Sequence, residues 1–431
     1  RNTIERVSSL GSKTYLLTVE SMRAMTLRVL KEVSLSDDQL ICEPYGKNTA
    51  PAIALLCHLM QLKGFEQEVI GIFPADHLIT DTNEFLKVTK KAEELAKSSG
   101  VVTIGIEPKY PATGYGYIEV LDSPINPGEE VVAYKVKQFC EKPDLNKAQE
   151  FVDSGKHFWN SGMFIFKATA MVENFKTYMP ELWHKITQIK EDLSNAKTIY
   201  ANLEAQSIDY GIMEKLTDQV HLPSKLGWSD VGSWDELARI AYELPEYRID
   251  SHASVFSEES ANNFVFSIKD KVIGLVGVKN LIVVDTPDAL LVTQKGQSEK
   301  VKNLVNTIRV AGVPEGSEQS FEIRPWGKFE ILRDEESFKS KKITVDPGAK
   351  LSYQSHSQRA EHWVIVSGLA EVTLNEKVST LKPGESVYVP QNVKHRIHNI
   401  GPEELVFIEV QTGTYFGEDD IIRYEDEYKR V

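Results

Sequence analysis

The sequence predicts a chain in three parts: an α/β domain with a helix-covered sheet, a small all-β element, and a C-terminal all-β barrel. Three observations predict it. Apolar strands alternate with helix-patterned stretches over residues 1–245. Short β runs divided by Asp, Gly, Asn and Pro fill 246–310. From 321 to 431, short strands are punctuated by turns at Asp346-Pro347-Gly348, Pro383-Gly384 and Gly401-Pro402, which is the pattern of a sandwich or barrel.

Taken in order, VIGIFPAD (69–76) reads as a buried strand that ends in a polar loop. The stretch NEFLKVTKKAEELAKS (83–98) carries Phe85, Val88, Ala92, Leu95 and Ala96 at helical spacing. VVTIGI (101–106) is the next strand. Strand, helix, strand predicts a parallel sheet with covering helices, whose ligands gather beyond the carboxyl ends of the strands. Next, FVFSI, KVIGLVGV and NLIVVDTPDALLVTQ make the small β element, without a visible long-period repeat. Residues 298–309 read as one short helix, and AGVPEGSEQS (311–320) as a linker.

Composition narrows the function. Lys and Arg number 49 against 63 Asp and Glu, a net charge of −14 that argues against a nucleic-acid binder. Local Lys and Arg still permit phosphate-bearing substrates. The three cysteines, Cys42, Cys57 and Cys140, are odd in number and form no C-x-x-C pair, which favours a reducing, cytoplasmic setting. No apolar run approaches the roughly 18 residues of a membrane span. The sequence leaves the oligomeric state open, a homo-oligomer included.

In GAKLSYQSHSQRAEHWVIVSG (348–368), Gln354 and His356 stand two apart, so a strand points both to one face, and Glu361 follows after a short turn. GESVYVPQNVKHRIHN (384–399) adds His395. Two imidazoles, a carboxylate and an amide oxygen make a mixed N/O set that suits Zn²⁺, Mn²⁺, Fe or Co²⁺. The two segments resemble the paired motifs of the cupin superfamily. Gln354 holds the place of the first motif's leading His, and Asn392 that of a Gly in the second. The Gln version, with RAEHWVIVSGLAEV (359–372) and RPWG (324–327), resembles the type II phosphomannose isomerases.

That resemblance implies metal-dependent isomerisation of mannose 6-phosphate and fructose 6-phosphate. The metal polarises the carbonyl while a base moves a proton between C1 and C2. Arg359 and Arg396 flank the ligands and are candidates to hold phosphate, with Arg396 also a catalytic candidate. His362, His398 and Glu409 are candidate bases. His362, next to a ligand in a strand, is expected to face away from it. A rival reading makes the barrel a non-catalytic sensor of sugar phosphates.

Further upstream, EPYGKNTAPAI (43–53), FPADHLI (73–79), TGYGYIE (113–119), FCEKPD (139–144), FWNSGMFIF (158–166), SIDYGIMEK (207–215) and WSDVGSWDEL (228–237) run in family order. Together they resemble the mannose-1-phosphate guanylyltransferases, which implies a Rossmann-like, GT-A-like fold. It implies Mg²⁺-dependent conversion of mannose 1-phosphate and GTP to GDP-mannose and pyrophosphate, for polysaccharide synthesis. Asp76 and Asp230 would be catalytic Mg²⁺ carboxylates. Gly114 and Gly116 would let the backbone approach the sugar. Glu141, Lys142 and Asn160 would contact sugar and phosphate, and Glu43, Asn48 and Thr49 would hold guanine. The family's Gly-rich triphosphate loop has no counterpart in this sequence, and RNTIERVSSL (1–10) reads as the helix that follows it. A chain truncated at its front and impaired in nucleotidyl transfer is the expectation. The middle element is expected to be β-helix-like.

Overall fold

The computed structural model describes residues 1–247, 249, 251–313, 316 and 320–428. The expected linker is described only at 311–313, 316 and 320, and its other positions lie outside the described residues. Contacts divide the chain into two compact units, Arg1–Gly232 and Ser233–Val431. Among the described residues, no helix is long and apolar enough to cross a membrane.

The first unit is built on a six-stranded sheet. Its strands, in spatial order, are Val69–Ile72, His157–Lys167, Val101–Ile106, Gln219–Ser224, Tyr134–Glu141 and Gly116–Pro124. The expected parallel sheet is corrected here. Val69–Ile72 and Val101–Ile106 do run parallel to each other across the helix Thr82–Ala96, but they are not neighbours. The long strand His157–Lys167 inserts between them, antiparallel to both. In this sheet only Val101–Ile106 and Gln219–Ser224 pair in parallel. A separate parallel pair joins Leu16–Val19 to Leu40–Glu43.

The inserted strand is apolar on both faces because both are covered. Phe164 and Phe166 join one core cluster with the helices Thr49–Leu62 and Ala168–Tyr178, and Met163 and Ile165 join another with Thr82–Ala96. Successive side chains of a strand point to opposite faces, so one segment seeds two cores. The helix Thr82–Ala96 buries Phe85, Val88, Ala92 and Ala96 as its spacing predicts, and Asp81 caps it by accepting from the Glu84 amide at 2.8 Å.

In the second unit, helix Trp234–Glu243 leads into the small β element. Its Trp234 and Ala238 pack on Ile282 and Val284. The side chain of Asp235 fixes its start by accepting from the amides of Gly296 and Ser298, at 2.6 and 3.0 Å. The β element is a short β-helix. Ser254–Glu258 pairs in parallel with Val272–Val276, and Phe264–Ser267 with Leu281–Asp285. Both pairings, and the bond from Asn262 to Asn280 at 2.6 Å, join residues 18 apart. The repeat not visible in the sequence is therefore present, but only two coils carry it and few side chains repeat.

The barrel consists of two sheets that are antiparallel throughout. One holds six strands in the order Phe321–Arg324, Gly327–Asp334, Phe338–Val345, Leu405–Gly413, Arg359–Ser367 and Ser386–Val389. The other holds five: Lys377–Leu381, Ala370–Leu374, His395–Asn399, Tyr353–His356 and Ile421–Glu425. One end of the interior is apolar, with Val345, Ile365, Ile397, Leu405 and Phe407 buried. Towards the other end the same strands present Glu361, His395, Glu409 and Gln411, all buried.

Candidate active sites

In the barrel, register assembles the expected metal ligands. Gln354 lies directly opposite His395 on the neighbouring strand, so both face one side, with His356 two residues along. Glu361 reaches in from the other sheet. One ligand atom from each of His356, Glu361 and His395 lies within 4.8 Å of the others. His356 Nε2 stands 3.0 Å from Glu361 Oε1 and 3.1 Å from His395 Nε2. His395 Nδ1 is 2.9 Å from the Val393 carbonyl, which it meets as donor, leaving the Nε2 lone pair aimed at His356. Two imidazole nitrogens facing each other beside a carboxylate are what a divalent cation would join, and the donor set fits one. Gln354 is held by Ser352 Oγ, which donates to its Oε1 at 2.7 Å.

Burial pushes the Glu361 carboxyl up, but the bond from His356 and the charges of His395 and Arg359 outweigh it and hold the group well below its ordinary range. Burial also pushes His395 down, towards the neutral form that binds metal, against the pull of Glu361. Trp363 Nε1 donates to Glu361 Oε2 and to Glu409 Oε2, at 3.1 Å each. Gln411 Nε2 donates to Glu409 at 2.8 Å and to Glu361 at 3.3 Å. Burial and the charge of Glu361 push Glu409 up, because two carboxylates sharing donors cannot both ionise cheaply.

Asn392, the departure from the cupin pattern, has φ of 64°. That is the left-handed region, where Gly is easiest and Asn the best-tolerated substitute. Its amide donates to the His356 carbonyl at 2.7 Å, so the turn steadies the segment that carries His356.

In the first unit, Asp76 is exposed in the loop after Val69–Ile72. Trp228–Ser229 pairs antiparallel with Leu78–Ile79, a register that carries Asp230 alongside His77 and so towards Asp76. Tyr115 donates to Asp230 Oδ1 at 2.8 Å. Trp228 Nε1 donates to His77 Nδ1 at 3.1 Å. Burial pushes His77 down, and the nearby charges of Asp76 and Asp230 oppose it.

A second group lies around Gly116. Gly116 is the register partner of Glu141, and a Cβ there would collide with the Glu141 carboxylate. Lys142, at φ of 48°, pairs with Glu141 at 3.1 Å. Asn160 donates to Asp209 Oδ1 at 3.0 Å. Burial, then the charge of Glu141, pushes the Asp209 carboxyl up to about 6. Gly114 sits in the exposed turn before the strand.

The third group is mostly engaged within the chain. Glu43 is buried at the end of Leu40–Glu43, and burial pushes it up to about 7 despite Tyr200 beside it. Asn48 caps the helix Thr49–Leu62, accepting from the Thr49 amide at 2.8 Å. The Thr49 hydroxyl accepts from the Ile208 amide at 2.9 Å and so ties two segments together.

Comparison with known proteins follows this division. A family model described as Nucleotidyl transferase matches residues 1–246. One described as MannoseP isomerase/GMP-like beta-helix domain matches 254–308, and one described as Mannose-6-phosphate isomerase C-terminal matches 315–426. A mannose-1-phosphate guanylyltransferase of Salmonella muenchen is 37% identical, over 99% of this chain and 90% of its own. The chain belongs to the mannose-1-phosphate guanylyltransferase family. The xanthan biosynthesis protein XanB of Xanthomonas campestris pv. campestris is also 37% identical, over 96% of this chain and 87% of its own. The crystal structure of mannose-1-phosphate geranyltransferase from Thermus thermophilus superposes with a TM-score of 0.57 at 29% identity, covering 72% of this chain and 88% of that one.

Within this guanylyltransferase-family chain, some expected residues do not meet a site. Arg396 follows His395 in its strand and faces the opposite side of the sheet. There it pairs with Glu425 at 2.9 Å and lies over the Tyr353 ring. His398 shares that outer side, near Glu371 at 3.3 Å. His362 is exposed against Tyr388, as expected of a residue next to a ligand. Arg359 is buried and reaches Glu361 at 3.5 Å and the Gly417 carbonyl at 2.9 Å. Asp209, Trp363 and Gln411 were not singled out from sequence. Asp209 lies in the quoted SIDYGIMEK segment, which is the signal that could have found it.

Proposed function

We propose that the barrel interconverts mannose 6-phosphate and fructose 6-phosphate using a divalent transition metal such as Zn²⁺, Mn²⁺ or Co²⁺. His356, Glu361, His395 and Gln354 would hold that metal. The observation that carries this reading is the convergence of three buried ligand atoms within 4.8 Å on a barrel of the isomerase family. The chemistry a bound metal supplies there is polarisation of the sugar carbonyl. The remaining work falls to the chain. Val393 fixes the His395 tautomer. Trp363 and Gln411 orient Glu361. Of the three candidate bases, Glu409 alone shares the interior with the cluster, and we assign it the proton in transit between C1 and C2.

We also infer that the first unit joins mannose 1-phosphate to GTP, forming GDP-mannose and releasing pyrophosphate. Asp76 and Asp230 would carry Mg²⁺, which prefers carboxylate and phosphate oxygens. Gly114, Gly116, Glu141, Lys142 and Asn160 would take the sugar phosphate, with Asp209 as an addition. Glu43, Asn48 and Thr49 remain the proposed guanine end. The name of the Xanthomonas relative supports a role in supplying polysaccharide synthesis.

The test is direct. The purified chain is given mannose 6-phosphate, and fructose 6-phosphate is followed. Turnover that scales with bound metal is expected. Tight binding of mannose 6-phosphate without turnover would instead make the barrel a sensor.

A further inference from the structure

The barrel's polar mouth holds three cations that the metal cluster does not use. Lys341 lies on Phe338–Val345, in line with the buried Ile343 and Val345, and is the register partner of Glu409. It therefore points into the barrel, whereas its neighbour Lys342 is exposed. Among the described residues its ammonium makes no hydrogen bond or ion pair. Its nearest aromatic is Phe329, with Nζ 5.0 Å from the ring centroid, and Arg324 lies over the same ring at 5.5 Å. Arg423 is the register partner of Gln354, which places it on the other side of Gln354 from His395. Its Nε is buried without a partner, and its Nη2 pairs with Glu418 at 3.0 Å.

These groups share one neighbour. Burial pushes the Glu418 carboxyl up, but Lys341, Arg324 and Arg423 outweigh it and keep it charged. Arg324 also pairs with Glu322 at 2.7 Å, so two carboxylates stand against three cations, one with a buried N–H free and one with no partner among the described residues. That is an excess of donors suited to a doubly charged tetrahedral anion. Position agrees. In a hexose 6-phosphate the phosphate is at the end opposite the reacting carbons, so its seat belongs beside the metal ligands and not on them. Arg359 is committed to Glu361 and Gly417, and Arg396 lies on the outer side of the sheet.

We propose that Lys341, Arg324 and Arg423 form the seat for the phosphate of a sugar monophosphate, with Glu418 as the internal counter-charge that the phosphate displaces. The proposal rests on the isomerase reading for its substrate.

The full chain is prepared as wild type and as Lys341→Met, Arg423→Gln, Glu418→Gln and, as control, Lys342→Met. Metal content is measured first, then the KM for mannose 6-phosphate and inhibition by inorganic phosphate. Lys341→Met and Arg423→Gln should keep their metal and raise KM roughly tenfold or more, since each removes a charge-assisted contact. Glu418→Gln should lower KM and the inhibition constant for phosphate several-fold, an effect that mere structural damage does not produce. Lys342→Met should change neither. Should the wild type bind mannose 6-phosphate without isomerising it, the same shifts read in binding, and their absence with unphosphorylated mannose, uphold the seat while the isomerase reading fails. Unchanged KM in both cation variants, or weaker phosphate inhibition in Glu418→Gln, overturns the seat. If Lys341→Met does not fold, Arg423→Gln and Glu418→Gln carry the test.

Discussion

The barrel site and the transferase site differ in how they are assembled. In the barrel, antiparallel register sets His395 against Gln354, and buried neighbours fix each ligand before anything binds. In the first unit, Asp76 lies exposed in a loop and Asp230 follows a two-residue strand. Its groups come from at least five separate segments. The first arrangement is held by packing, while the second leaves its carboxylates less constrained. Placing function on a rigid sheet fixes geometry at the cost of burying charge, and loop placement does the reverse.

The largest effect expected of this difference is in the barrel. His395→Ala should lose bound metal and lower isomerase turnover by roughly 10³ or more, because carbonyl polarisation is worth several kcal/mol. Elemental analysis and the isomerase assay check both together. Retained metal with lost turnover would break the ligand assignment.

A smaller effect is expected in the first unit. Asp230→Asn should lower GDP-mannose formation roughly 10²-fold, measured by pyrophosphate release. In the same chain it should leave isomerase turnover unchanged. A parallel loss in both assays would erase the distinction between the sites.

The smallest effect concerns Glu43. Its carboxyl titrates at about 7 in the folded chain against an ordinary 4.5, because burial favours the neutral form. Its contribution is fully present below about 4.5 and is lost as pH rises through about 7. The first unit should therefore melt at lower temperature at pH 8 than at pH 5. Glu43→Gln should flatten that dependence by on the order of 2 kcal/mol. Melting curves that stay parallel for the two proteins would contradict it.

What the sequence made legible follows physical range. The proposed ligands Gln354, His356 and Glu361 sit within eight residues and His395 beside a turn, so local spacing was enough to bring them forward as candidates. The same alternation that turned His362 outward also turns Arg396 outward, and it was readable one residue from His395. Glu409 could not be chosen among the bases, because its facing depends on pairing with Lys341 and Trp363, far away in the chain. The mixed sheet was hidden for a related reason. A strand-helix-strand pattern reports direction, but not that His157–Lys167 enters between the two strands. In the β-helix the repeat resides in backbone pairing and a few side chains such as Asn262 and Asn280, too little for composition to reveal.

The barrel is proposed as a metal-dependent isomerase built on His356, Glu361 and His395. Its most direct test is mannose 6-phosphate isomerisation by chelator-treated protein, before and after adding back Zn²⁺, Mn²⁺ or Co²⁺. Turnover should be lost on chelation, return with metal, and not return in His356→Ala. Full turnover by protein verified to be metal-free would contradict it.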